Sequence, residues 1–157
     1  MSITEAEIER ARTAWGEALI VISKAFDTVG IDAARTAAGN MLDAAYGYNL
    51  GPVLFKPTLA SGAQTFRPTR DGALSYYVGH CDAYPLDIGF GTRGWRTVAS
   101  DTAGHVLGGE VALWMGHVTI TDRGGTIMKV DKTFGYKKDA DGIVRIVLHH
   151  SSLPHKP

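Results

Sequence analysis

The sequence predicts an α+β fold, with helices first and then a strongly curved antiparallel sheet that wraps the long first helix into a cone. Three observations lead there. Up to about residue 46 the apolar residues recur at helical spacing. After Pro85 the chain becomes successive strand-like runs divided by Gly108-Gly109, Gly124-Gly125 and Asp141-Gly142. The 157 residues show no internal repeat or low-complexity tract, so residues 1–157 form a single domain large enough to bury a core.

The first helix starts at a capping box. Thr4 can accept from an early backbone N–H while Glu7 reaches back to it. Ile8, Ala11, Trp15, Leu19, Ile22 and Phe26 then form an apolar stripe opposite Glu9, Arg10, Glu17 and Lys24. Asp27 to Gly30 breaks the pattern. Residues 31–46 are Ala-rich and contain Gly39, which predicts a second, less regular helix leading through Tyr46 and Tyr48 to a turn at Gly51-Pro52. Residues 53–56 suit a short strand stopped by Pro57, and Ser61-Gly-Ala is loop. Residues 69–78 suit a short helix capped by Thr69 or Asp71 and ended by Gly79. The meander follows as strands over 95–103, 110–121, 126–138 and 143–151.

Composition narrows the possible partners. Hydrophobic residues are 45% and charged residues 20%, ordinary for a soluble globular chain. Lys plus Arg and Asp plus Glu are each 16, so no net field favours nucleic acid or an anionic membrane. No run of apolar residues is long enough to span a bilayer. The acidic, helical start is unlike a signal peptide, and the expected location is cytoplasmic, or periplasmic if an export signal preceded this sequence. Cys81 is the only cysteine, which excludes an internal disulfide and a thiolate zinc knuckle.

The last strand carries the chemistry. It begins apolar and ends in His149, His150, Ser151 and Ser152 before Pro154. Alternation puts His149 and Ser151 on one face, His150 and Ser152 on the other. A catalytic zinc needs about three imidazoles, or thiolates with an imidazole, around an open position. His149 and His150 diverge, and His80, Cys81 and Asp82 are too close in sequence to ligate one ion together. The reading is therefore no metal and no cofactor, while a zinc or manganese held by distant His80, His105, His117 and His149 stays open.

Phe55-Lys-Pro-Thr-Leu-Ala60, Phe66-Arg-Pro-Thr-Arg-Asp-Gly-Ala-Leu-Ser-Tyr-Tyr-Val-Gly79, Asp87-Ile-Gly-Phe90, Thr133-Phe-Gly-Tyr136 and Leu148-His-His-Ser-Ser-Leu-Pro154 together resemble the iota-class carbonic anhydrases. That group is related to the association domain of calcium/calmodulin-dependent kinase II, within the NTF2-like superfamily. The resemblance covers roughly residues 54–154. It implies an NTF2-like cone and the reversible hydration of carbon dioxide to bicarbonate, without a metal in some members. It also implies that Thr58, Tyr76 and Ser151 surround the bicarbonate. Hydroxyls there can donate to oxygens on which negative charge grows as water attacks. His149, with an ordinary pKa of about 6.5, is the natural proton relay. Tyr76 assists if Arg67 or Lys56 acidifies its phenol.

Duller readings stand beside these. Thr58 can cap a turn, Ser151 can bond backbone at an edge, and His149 can be a satisfied interior histidine. One of Tyr76 and Tyr77 should face the core and the other should not. Arg67, Arg70 and Arg145 read as ion-pair residues, and Phe90, Trp95, Trp114 and Phe134 as core or pocket wall. Gly79-His80-Cys81 departs from the pair of glycines more usual in the family, and His155-Lys-Pro from an aromatic after the proline, so His80 could tune the entrance. Two other functions fit the superfamily. One is a non-catalytic ligand-binding or oligomerisation module. The other is a hydrolase or isomerase pairing His149 with Asp131 or Asp87, which would need a larger pocket. With Val144, Ile146 and Leu148 on one face of the last strand and Ile143 and Val147 on the other, neither face is cleanly polar. A homodimer is expected to cover the one the first helix leaves open.

Overall fold

The computed structural model describes residues 1–157. Helix α1 runs Glu5–Thr28 and α2 Ile31–Ala45, followed by strand β1 at Leu54–Lys56 and helix α3 at Arg70–Val78. Four long strands complete the chain: β2 Trp95–Gly108, β3 Val111–Asp122, β4 Ile127–Lys138 and β5 Val144–Ser152. The sheet order is β1-β5-β4-β3-β2. Every neighbour is antiparallel except β1, which pairs in parallel with β5. No helix is long and apolar enough to cross a membrane.

Local chemistry starts and stops these elements as expected. Thr4 accepts from the Glu7 N–H while the Glu7 carboxylate accepts from the Thr4 N–H. Thr69 caps α3 by accepting from the Gly72 N–H. The apolar stripe of α1 is the buried one, with Ile8, Trp15, Leu19 and Ile22 in the core. Ile8, Leu19 and Ile22 each contribute about 1.5–3 kcal/mol by leaving water. α1 also lies close on β2, where a Cβ on Gly16 would stand 3.0 Å from the Val98 side chain.

Three expectations need correction. The second helix is regular to Ala45, because Ala34, Ala38, Met41 and Leu42 bury one face and packing outweighs the low propensity of Gly39. β2 extends five residues past Ala103, because the ladder with β3 passes Gly104 through a bulge instead of ending there. Strict alternation also fails in β5. The register moves from Gly135↔Leu148 to Tyr136↔Ile146, which leaves Val147 unopposed, so Ile146 and His149 both face the core. The bulge thus lets an apolar strand beginning and a polar strand end share one interior.

Candidate active site

β1 places the first site residue. In its parallel register Phe55 lies beside His149 and Lys56 beside His150. Pro57 then ends the strand, and Thr58 turns across the end of β5, where its Oγ1 is 2.6 Å from Ser151 Oγ. Lys56 reinforces this contact by donating to the Ser151 carbonyl at 2.9 Å. Thr58, Ser151 and His149 are all buried.

Helix α3 supplies the third hydroxyl. The Tyr76 oxygen accepts from the Leu59 N–H at 3.1 Å, and its ring stacks on Phe90 at 5.5 Å. The other end of this arrangement is clamped by Arg67. Its guanidinium makes two 2.7 Å bonds to Asp87, donates to the carbonyls of Gln64 and Gly72, and lies over Tyr84. Asp87 also accepts from Ser75 Oγ at 2.6 Å. Two-pronged pairing fixes orientation as well as charge, so the loop after β1 and the helix bearing Tyr76 are held as one unit.

Beneath the hydroxyls lies a buried polar chain. His149 Nδ1 is 2.8 Å from Tyr46 Oη, and that oxygen is 2.6 Å from Tyr77 Oη. Trp15 Nε1–H donates to both phenol oxygens, at 3.1 and 3.2 Å. His149 Nε2 is 2.9 Å from Lys132 Nζ, which lies 4.2 Å from the centre of the Trp15 ring. The imidazole stacks on Phe55 at 4.6 Å. Thr58, Tyr76, Tyr77, Lys132 and His149 border one cavity walled by aromatic rings, with a free volume of about 10 Å³. That is roughly what one water needs. Wider clefts lie elsewhere, such as the 370 Å³ groove of alanines between α1 and α2, which holds no comparable polar cluster.

Burial sets the protonation states. It lowers the Lys132 pKa to about 7. It also holds His149 well below the usual histidine range, with Lys132 and His150 adding to the effect. Burial pushes Tyr77 up to about 12 and raises Tyr76 as well. Tyr76 is therefore not acidified as anticipated: Arg67 is committed to Asp87, and Lys56 to backbone carbonyls. Tyr76 stays a neutral phenol.

Of the four candidate residues, Thr58, Tyr76 and His149 border the cavity, and Ser151 joins them through its contact with Thr58. Tyr76 and Tyr77 are both buried, contrary to the one-in, one-out expectation, because α3 is covered on two sides. His80 is exposed and bonds the Val78 carbonyl, so it does not border the cavity. The potential ligand histidines are dispersed. His105 lies near Glu5 and His117 pairs with Asp131 at 3.0 Å. No group of three or more His, Cys, Asp or Glu is placed to hold a metal ion. Neither carboxylate considered for His149 reaches it, since Asp131 engages His117 and Asp87 engages Arg67 and Ser75. Arg70 and Arg145 form ion pairs with Asp43 and Asp139.

A sequence model described as metal-independent carbonic anhydrase matches residues 6–153. The chain belongs to that family. A metal-independent carbonic anhydrase of the cyanobacterium Nostoc sp. is 49% identical over 155 residues, covering 99% of this chain and 76% of the relative. A crystal structure of a cyanobacterial iota-carbonic anhydrase complexed with bicarbonate superposes with a TM-score of 0.98 at 49% identity, covering 99% of this chain and 95% of the other. A kinase II association domain from Xanthomonas campestris, at 20% identity and a TM-score of 0.62, shares the fold alone; it covers 99% of this chain and 91% of its own. So does an NTF2-like protein from Streptomyces avermitilis, at 15% and 0.55, covering 96% of each chain.

In this metal-independent carbonic anhydrase the residues that sequence reasoning missed are Lys132, Tyr46, Tyr77 and Trp15 as a connected set. One signal was available: Lys132 alternates with Val130, Phe134 and Tyr136, a lone cation on an inward apolar face.

Proposed function

We propose that the chain hydrates carbon dioxide reversibly to bicarbonate in the cavity beside Thr58, Tyr76 and Ser151, with hydroxyl donors doing the work a metal does elsewhere. The observation that carries this is the hydroxyl cluster over a water-sized cavity. Tyr76 accepts from Leu59 and so keeps its own proton to give. Thr58 and Ser151 share one hydrogen bond, which leaves one of their two protons free. Two donors can therefore meet carbon dioxide's oxygens as charge develops on them, already oriented and shielded from bulk water. His149 serves as the proton relay, its two ring nitrogens joining Tyr46 to Lys132. The relative that was crystallised with bicarbonate supports the same substrate here.

The test is stopped-flow carbon dioxide hydration on chelator-treated protein of measured metal content. Thr58→Val, Tyr76→Phe and Ser151→Ala should each lose about 100-fold or more, since one oxyanion donor typically contributes about 2.7–4 kcal/mol. Full activity in all three variants, or activity that appears only on adding zinc or manganese, overturns the reading.

We also infer a homodimer through the outer face of the sheet. Leu54, Val106, Leu113 and Met115 are large, apolar and exposed there. The register sets Leu113 beside Val106 and Leu54 beside Leu148, which makes a continuous patch. A second copy related by a twofold axis would cover it. Light scattering should give a dimer, and Met115→Arg a monomer; a monomeric unsubstituted protein at high concentration rules this out.

A further inference from the structure

Hydration releases a proton as well as bicarbonate, and the hydroxyl cluster alone does not say where it goes. We propose that Lys132 is the terminal proton acceptor of the reaction, loaded through the chain Tyr77, Tyr46 and His149. This rests on the hydration reading above and extends it to residues outside the hydroxyl cluster.

The direction of the chain follows from donor and acceptor accounting. Trp15 Nε1–H can only donate, and it points at both phenol oxygens. Tyr77 therefore has one acceptor within reach for its proton, Tyr46 Oη at 2.6 Å. With that proton placed, Tyr46 must donate its own to His149 Nδ1 at 2.8 Å. A neutral imidazole that accepts at Nδ1 carries its proton on Nε2, and that N–H meets Lys132 Nζ at 2.9 Å. Nζ must then offer a lone pair, which an ammonium lacks and a neutral amine has. The opposite polarity leaves the Tyr77 proton buried without a partner when the cavity is empty, at a cost of about 1–3 kcal/mol. Every hydrogen bond thus points towards Lys132, and the lowering of its pKa to about 7 by burial agrees with a neutral amine.

The proton can move along this chain without any group leaving its place. Water's oxygen forms the new bond to carbon, and one C=O π pair moves onto an oxygen that faces the Thr58, Ser151 and Tyr76 hydroxyls. Water's proton passes to Tyr77 Oη, the Tyr77 proton to Tyr46, the Tyr46 proton to His149 Nδ1, and the Nε2 proton to Lys132 Nζ. The products are bicarbonate and a Lys132 ammonium, so atoms and charge balance. Tyr77 and Lys132 both border the cavity, so both ends of the chain meet the reacting volume. Once bicarbonate has gone, the reverse hops return the proton to water and restore the amine.

The groups around Lys132 suit a transient cation. Trp15 comes from α1, Tyr76 and Tyr77 from α3, Phe134 from β4 and His149 from β5. The indole face lies 4.2 Å from Nζ and stabilises a positive charge. No carboxylate borders the cavity to trap the proton permanently. Lys56, the other nearby cation, bonds the Ser151 carbonyl.

The experiment compares Lys132→Met, which keeps the length but removes the amine, with Tyr46→Phe, which removes one hydroxyl from the middle of the chain. Hydration is followed against pH by stopped flow, bicarbonate binding by carbon-13 NMR line broadening, and folding by near-ultraviolet circular dichroism. Both variants should bind bicarbonate yet hydrate carbon dioxide about 100-fold or more slowly, the usual scale for a lost acid–base group. The inflection of the unsubstituted enzyme near pH 7 should vanish in Lys132→Met. A folded Lys132→Met variant within about threefold of full activity, or with the same inflection, refutes the acceptor role. If Lys132→Met does not fold, an active Tyr46→Phe refutes the chain on its own; if it folds but is slow, an active Tyr46→Phe refutes the route. If the unsubstituted protein hydrates no carbon dioxide, the functional reading fails and this inference falls with it.

Discussion

Replacing Lys132 with methionine should remove one limb of the protein's stability–pH curve. The ammonium ordinarily loses its proton near 10.5, and burial lowers that to about 7 in the fold. Between those values the unfolded chain holds a proton that the folded chain has released. Folding therefore becomes more favourable as pH rises through that window, and the gain is lost as pH falls towards 7. At about 1.36 kcal/mol per pH unit, Lys132 adds about 3 kcal/mol of stability between pH 7 and pH 9.5. Stopping at 9.5 stays below the tyrosines, and other titrations cancel when the two proteins are compared. His149, whose pKa is also held low, acts with the same sign but below about pH 6.5. The assay is guanidinium chloride unfolding of both proteins at half-unit pH steps. Methionine should be the more stable variant at pH 7, with the difference shrinking by about 3 kcal/mol by pH 9.5. A difference that stays constant to within about 0.5 kcal/mol refutes the argument that burial neutralises this lysine.

Two further predictions concern the frame around the cavity. Asp87→Asn leaves the buried Arg67 guanidinium without its charged partner and should cost about 3–5 kcal/mol in denaturant unfolding; a loss below about 1 kcal/mol would mean the clamp is not structural. His80 holds a left-handed backbone with φ of 55°, directly after Gly79 at 66°. A second glycine is the unstrained choice there, so His80 carries a backbone strain that a glycine would not. His80→Gly should raise stability by up to about 1 kcal/mol at unchanged hydration rate, and a lower melting temperature counts against the strain.

Much of the molecule was legible in the sequence, for local reasons. The capping box at Thr4 and Glu7, the apolar stripe through Trp15 and the glycine turns each act over a few residues, so they fixed the α+β order and most element boundaries. The cluster of hydroxyls was reachable because its motifs lie in order along the chain. The parallel pairing of β1 was not legible, because three residues carry no mark of strand direction. Nor was the bulge at Val147, which depends on how β4 and β5 accommodate each other.

The composition, the helical and strand periods and the turn residues are properties of neighbours in sequence, and the sequence by itself determined those, while the candidate hydroxyls Thr58, Tyr76 and Ser151 were named only by resemblance to the family. Only the tertiary structure decided that Lys132, 17 residues from His149 in the chain, meets it across the sheet, and that Tyr46, 103 residues away, meets its other nitrogen. Protonation was decided there too. A lysine and a histidine become neutral partners only when helices and sheet together exclude water from both, and no local pattern records that exclusion.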